Sequence, residues 1–327
     1  MSSRESGLTI EPITNGTFGA IVNGVKLNQL SDDQFADIHS AFLEYGFLVF
    51  PGQFLSEQEN IDFGLRFGEL EFGGAAMSNQ RRLSEGEYGE VFDLDGQVMR
   101  TNVGNEAWHT DSTYQPLSSK CAMLSAVTVP DEGGATELAD ARAAYDALDE
   151  ATREKIAQLS AYHSTEYSQA NDLGDFPARG GAIYHGEAYL RPLVKVHPET
   201  GRKAIFVARH AFGIPGLSRN ESRTLLESLT EFIVSEPSRV YSHQWQPGDT
   251  LFWDNRCILH RARPYDYSKP RVLIGTRIAG DPASELAYYP DDPAAEAGRV
   301  ALNEELERLK AETGDRMYAA TTADHAG

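Results

Sequence analysis

The stretch Val240-Tyr-Ser-His-Gln-Trp-Gln-Pro-Gly-Asp-Thr-Leu-Phe-Trp-Asp-Asn-Arg-Cys-Ile-Leu-His260 decides the fold. Two short runs rich in β-branched and aromatic residues, Val240–Trp245 and Thr250–Trp253, flank Pro247-Gly248-Asp249. Pro presets φ and Gly accepts positive φ, so that tripeptide is a turn between two strands. A third run, Arg271–Ile278, reads as another strand. Working outward, Leu193–Val196 and Ala204–Val207 are strands around a Pro198–Gly201 turn, and Cys121–Val129 is a buried strand. Phe47–Phe50 is a strand stopped by Pro51-Gly52, and Leu8–Ile10 and Phe18–Val25 are strands punctuated by Asn15-Gly16 and Asn23-Gly24.

Helices are fewer. Ser31 and Ser56 carry N-cap chemistry before apolar residues at helical spacing, and Ala141–Leu159 and Ser218–Ser235 show the same period. Residues 69–107 lack periodicity and are expected to form a long loop; residues 163–190 are expected to be irregular too. The pattern predicts a mainly β protein with helices: a sandwich or barrel-like core with helices set outside. The expected organisation is a flexible tail over 1–7, one domain over 8–300, and a C-terminal helix with a polar tail over 301–327.

Composition narrows the function. The 327 residues are 41% hydrophobic and 24% charged, as in an ordinary globular protein. No apolar run approaches the roughly 20 residues of a membrane helix, and the N-terminus lacks a secretory core, so a cytoplasmic protein is expected. The net charge of −20 argues against nucleic acid as a partner. An anionic substrate would then need arginines at the site itself. Cys121 and Cys257 have no metal-type spacing and read as small buried hydrophobes, although one long-loop disulfide is possible.

His109 and Asp111, in Trp108-His109-Thr110-Asp111, stand two residues apart. On a strand, i and i+2 face one side, so both can address one ion. His260 supplies a third ligand. Two histidines and one carboxylate leave coordination positions open, which suits an Fe(II) oxygenase and, equally by donor type, a zinc hydrolase. Arg271, eleven residues beyond His260, could return on a strand and grip a carboxylate through two parallel hydrogen bonds.

These blocks resemble the taurine/2,4-dichlorophenoxyacetate dioxygenase family of Fe(II)/2-oxoglutarate enzymes over roughly Thr9 to Asp281. The resemblance rests on Trp108 through Tyr114, Val129-Pro130, Gly133-Gly134-Ala135-Thr136, Arg142 through Leu148, Arg191 through Pro198, and Trp253 through His260 with Arg271. The last blocks, with Arg209-His210-Ala211 and Ile214-Pro215-Gly216, look most like aryloxyalkanoate dioxygenases acting on phenoxypropionates. The family implies a double-stranded β-helix, or jelly roll, with surrounding helices and long active-site loops. It implies His109, Asp111 and His260 as iron ligands, and Thr136 and Arg271 as the grip on 2-oxoglutarate. Dioxygen is the oxidant, and 2-oxoglutarate becomes succinate and carbon dioxide. Asn105 matches a position facing substrate. One departure stands out: many relatives carry a second arginine four residues after the first, where this chain has Gly275. Arg277 lies two further on, and alternation can bring it to the same face, where it would grip the substrate's anionic group; the other reading is a strand-end arginine paired with an acidic neighbour.

His163, His185 and His210 lie in segments expected to face the pocket, either positioning substrate or serving as hydrogen-bonded structural residues; His210 is the one taken as a substrate contact. Trp108 and Trp253 read as core, and Asp254 and Asn255 as pins for the turn before His260. The expected partner is a small anionic organic substrate, an aryloxyalkanoate first and an alkyl sulfonate, sulfate ester or other carboxylate second. A homo-oligomer is expected. A non-catalytic jelly-roll binding protein is the competing class, as is the zinc hydrolase, which leaves Arg271 and Thr136 without a task.

Overall fold

A computed structural model describes residues 7–13, 16–181, 183–288 and 293–323. Except for Gly7, the tail expected over 1–7 lies outside the described residues, as do Asn15 of the expected Asn15-Gly16 turn and residues 324–327 of the polar tail. The main sheet has seven strands in the order Thr9–Pro12, Ala20–Asn23, Phe47–Phe50, Thr250–Asp254, Ser119–Thr128, Val272–Ala279 and Leu70–Ser78. A smaller sheet, Val240–His243, Thr136–Asp140 and Ile258–Ala262, packs against it. Val49, Ala122, Leu251 and Leu273 of the first share one buried cluster with Leu138, Ala139, Ile258 and Leu259 of the second. Two sheets face to face over one core form the jelly roll.

Both faces of the main sheet are covered at its centre, so Phe47–Phe50 and Thr250–Asp254 are buried at every position. Phe47 and Val49 face the inter-sheet core, while Leu48 and Phe50 face a second cluster with Phe42, Phe63, Phe67 and Phe252. That second cluster is closed by the helices Asp32–Tyr45 and Glu57–Leu65. Each begins with a capping box, Ser31 with Gln34 and Ser56 with Glu59. Burying Phe42 or Phe63 fully is worth about 2 kcal/mol apiece.

Four expectations need correction or sharpening. Residues 69–107 are not a loop: they hold the edge strand Leu70–Ser78, a hairpin of Gln80–Ser84 with Glu87–Val91, and the helix Gln97–Gly104. Alternation is lost because Gly73 and Gly74 sit mid-strand. A Cβ on Gly73 would lie 2.7 Å from Ile61, and Gly74 has φ +65° while its N–H donates to Thr276 Oγ1. Residues 163–190 contain the helix Thr165–Leu173, whose first six residues are all buried, so no amphipathic stripe marks it. Ala141–Leu159 is two helices, Ala141–Ala147 and Glu150–Ala157, because Leu148 is extended and Asp149 caps the second by accepting from Thr152 N–H. The C-terminal helix runs from Pro293 to Ala323, and its Leu302, Leu306 and Leu309 pack on Tyr162, Tyr167 and Phe212. Cys121 and Cys257 are free and buried, with no disulfide.

Candidate metal centre

His260 lies on the strand Ile258–Ala262, next to Thr136–Asp140 in the small sheet. His109 is placed by backbone pairing with it: His109 N–H donates to His260 O at 2.9 Å, and His260 N–H returns to His109 O at 2.8 Å. The expectation that His109 and Asp111 ride one strand fails. His109 makes an isolated bridge, and the chain then turns, with Ser112 at φ +55°, so Asp111 reaches the site from a turn. The outcome is nevertheless a common point: ligand atoms of His109, Asp111 and His260 lie within 4.8 Å of one another, all three residues buried.

The donor set fits a divalent cation. His109 Nδ1 donates to Ala107 O at 2.8 Å, which fixes its tautomer and leaves Nε2 with a free lone pair. Burial and then the neighbouring His260 push its pKa down to about 3, so the ring is neutral at neutral pH. Burial would raise Asp111, but Arg277 and the two histidines hold its carboxyl well below the usual range. His260 Nε2 is 3.6 Å from Asp111 Oδ2, and its Nδ1 is buried without a protein partner. A neutral His109 imidazole and an ionised Asp111 carboxylate are protonation states that metal binding requires.

A second layer holds these ligands. Asn255 Nδ2 donates to Asp111 Oδ2 at 3.2 Å and to Ser119 Oγ at 2.9 Å, while its Oδ1 accepts from Trp253 Nε1. Asp254 accepts from Arg256 N–H and Nε, so both turn residues act as expected. Trp108 and Trp253 are core residues.

The cavity beside the ligands has a volume of about 140 Å³ and lies between the sheets. Asn105, Thr136, Arg271 and Arg277 line it with the three ligands. Arg271 precedes the strand Val272–Ala279, and its Nε and Nη2 donate to Gly134 O at 3.2 and 3.0 Å. Asn79, which the sequence reading missed, accepts from Arg271 N–H and donates to Tyr267 O and Lys269 O. Apolar and aromatic walls come from Phe72, Met77, Leu124, Leu273, Tyr265 and Tyr267. A larger cleft of about 1200 Å³ runs between the helix Arg219–Val234 and the C-terminal helix, but its five arginines are already paired.

Arg277 faces the cavity, and it is also paired with acidic neighbours, as the second reading of it expects. A register shift between Gly275 and Arg277 sets it opposite Phe72, over whose ring it lies at 4.8 Å. Its Nη2 donates to Asp111 Oδ1 at 2.6 Å and its Nη1 to Ser112 Oγ at 3.2 Å, with Glu71 at 3.5 Å. Its Nε is buried and has no partner. Glu71 carried no signal in the sequence, because strand Leu70–Ser78 was not legible, and Ser112 stood in the Trp108–Tyr114 block without an assigned role.

None of the three other histidines lines this cavity. His185 Nε2 meets Tyr114 O at 3.1 Å. His210 bonds Ser168 Oγ at 2.9 Å and sits with His163 against a separate small void, its ring edge-on to His109 at 6.2 Å. His163 stacks on Phe206, and neither ring nitrogen has a partner.

His163 supplies a pH prediction. Burial, then Arg191, lowers its pKa to about 3 from 6.5, so the unfolded chain takes up a proton that the folded chain refuses. Stability from this group is complete above pH 6.5 and declines as pH falls toward 3, by about 2 kcal/mol at pH 5. His163→Phe keeps the stack and is expected to flatten the acid limb of thermal unfolding measured from pH 7.5 to 5. Parallel acid limbs for the two proteins would refute it.

The profile of the family described as "Taurine catabolism dioxygenase TauD, TfdA family" matches residues 9–277. The chain is 48% identical to the (S)-phenoxypropionate/alpha-ketoglutarate-dioxygenase of Sphingobium herbicidovorans, over 84% of this chain and 96% of that one. It is 47% identical to the enzyme of the same name from Delftia acidovorans, over 86% and 99%. The crystal structure of AAD-2 in complex with Mn(II) and N-oxalylglycine superposes with a TM-score of 0.77 at 35% identity, over 84% of this chain and 97% of that one. Fold, converging ligands and sequence agree: the chain belongs to the TauD/TfdA family of dioxygenases.

Proposed function

We propose that the protein is an Fe(II)- and 2-oxoglutarate-dependent dioxygenase whose substrate is an aryloxyalkanoate, and that His109, Asp111 and His260 hold the iron. The observation that carries this reading is one cavity shared by three metal-type ligands, Arg271, Arg277 and an aromatic wall. When bound, Fe(II) and 2-oxoglutarate supply the oxidising chemistry, dioxygen being consumed as 2-oxoglutarate becomes succinate and carbon dioxide.

The chain's own residues supply placement. Thr136 and Arg271 take the distal carboxylate of 2-oxoglutarate at the end of the cavity remote from Arg277. N-oxalylglycine, bound to the AAD-2 relative, has the same skeleton with one methylene replaced by NH. Arg277 takes the substrate carboxylate, Asn105 lines the cavity from the small-sheet side, where its carbonyl accepts from Ala262 N–H, and Phe72, Met77 and the tyrosines enclose the aryl ring. Hydroxylation at the carbon bearing the ether oxygen gives a hemiketal. Its hydroxyl proton passes to the departing aryloxy oxygen, releasing a phenol and a 2-oxo acid.

A guanidinium reads charge and planarity of oxygens more than the central atom, so alkyl sulfates and sulfonates are the second substrate class. The discriminating experiment measures succinate release against a panel of anions together with phenol release from both phenoxypropionate enantiomers. Succinate without phenol removes the aryloxyalkanoate assignment. A protein that forms no visible charge-transfer band with Fe(II) and 2-oxoglutarate under anaerobic conditions is a binding protein instead.

Gly134 gives a prediction of its own. Its φ is +66°, and a Cβ there would lie 3.1 Å from Arg271 Nε. Gly134→Ala is expected to raise the 2-oxoglutarate KM about 10-fold, since it strains the turn and displaces the guanidinium. An unchanged KM would separate Arg271 from the cosubstrate.

A further inference from the structure

We propose that Trp245, which does not line the cavity, is a positioning residue for 2-oxoglutarate, acting through Thr136; this rests on the reading that Thr136 and Arg271 receive the cosubstrate. Thr136 opens the strand Thr136–Asp140 between His243 and Ala262 of its neighbours, and it is buried. Its Oγ1 accepts from Trp245 Nε1 at 3.0 Å, a bond wholly inside the protein.

The direction of that bond is fixed by chemistry. An indole N–H only donates, whereas a threonine hydroxyl has one proton and two lone pairs. Trp245 therefore occupies a lone pair and leaves the hydroxyl proton unused. Among the described residues, Thr136 Oγ1 has that one recorded bond, while the residue lines the cavity beside Arg271. The hydroxyl is left to donate into the cavity, toward a group that only accepts. A carboxylate is such a group. The indole also selects among the side-chain rotamers of a β-branched residue, holding the donor in place before ligand arrives.

Trp245 is itself held rigidly. Its ring meets the His243 ring edge-on at 4.5 Å, and His243 Nε2 lies 3.4 Å from Asp249 Oδ2 in the turn that follows. The strand–turn–strand segment 240–254 therefore connects the fold of the small sheet to the orientation of one hydroxyl.

Trp245→Phe keeps an aromatic ring and removes the donor. The 2-oxoglutarate KM is expected to rise about 5-fold, and the Kd from anaerobic charge-transfer titration with it. The kcat at saturating 2-oxoglutarate and the KM of the prime substrate stay within about 2-fold. In a Thr136→Val background the same change has no further effect on 2-oxoglutarate affinity. Equal losses in kcat and in both KM values, or an unchanged 2-oxoglutarate KM while Thr136→Val weakens it, overturn the role of Trp245 alone. Thr136→Val that leaves 2-oxoglutarate affinity intact overturns the underlying cosubstrate reading. If Trp245→Phe fails to fold, benzothienylalanine at 245 retains the bicyclic shape without N–H, and the same outcomes apply.

Discussion

Asp111→Ala is expected to lose stoichiometric iron and to lower turnover by about 1,000-fold or more, and also to destabilise the metal-free protein by about 3 kcal/mol. The two losses have different causes. The first follows from removing the only anionic donor of the His109–Asp111–His260 set, without which two neutral imidazoles hold a divalent cation weakly. The second follows from Arg277, whose Nη2 lies 2.6 Å from Asp111 Oδ1. Burial opposes the charge of that guanidinium, yet Asp111, then Tyr114 and Glu71, keep its proton more firmly held than in a free arginine. Removing Asp111 alone leaves a largely buried guanidinium with only the more distant Glu71 and the neutral Ser112 to answer it. Removing both partners does not, so Asp111→Ala/Arg277→Met is expected to regain most of the lost stability while staying without iron and without turnover. Metal content by mass spectrometry and urea unfolding of the chelated proteins test the two halves separately. Full iron occupancy in Asp111→Ala would remove it from the ligand set; a double variant no more stable than the single one would show that the ion pair carries no weight.

The same pairing shows where sequence reasoning stops. His109 and Asp111 are suggested by their spacing and His260 by the family resemblance, but strand alternation is the wrong reason for the first two. Strand alternation does not align them; a backbone bridge from His109 to His260 and a turn at Ser112 do. The main strands were legible because most of them are buried on both faces and read as short apolar runs between turn residues. The edge strand Leu70–Ser78 was not, since Gly73 and Gly74 interrupt its alternation, and with it went Glu71 and Phe72, both of which meet Arg277. The helix Thr165–Leu173 was hidden for the opposite reason, burial on nearly every side. His210 was placed in the pocket by proximity in sequence to plausible neighbours, whereas it backs onto His109 and bonds Ser168. Long-range hydrogen bonds such as Trp245 to Thr136, 109 residues apart, leave no local pattern at all.

Arg277→Met is expected to raise the KM of the prime substrate about 100-fold while leaving that of 2-oxoglutarate within about 3-fold. The asymmetry follows from what each guanidinium has left to offer. Arg271 is tied by Nε and Nη2 to Gly134 O near the Thr136 end of the cavity, so its remaining face serves one ligand there. Arg277 spends its two terminal nitrogens on Asp111, Ser112 and Glu71, and its buried Nε has no partner. Once a divalent cation answers the charge of Asp111, the Nε edge and one terminal nitrogen can turn to a second carboxylate in fork geometry. Phe72 beneath the guanidinium keeps its plane fixed while the hydrogen bonds change partners. Arg277→Lys retains the charge but not the fork, and it is expected to recover only part of the lost affinity. A neutral methyl ester of the substrate, which has no carboxylate to present, should lose little on either substitution. Comparable increases in both KM values for Arg277→Met would return this residue to a structural partner of Asp111, and the anion of the substrate would then have to be read elsewhere in the cavity.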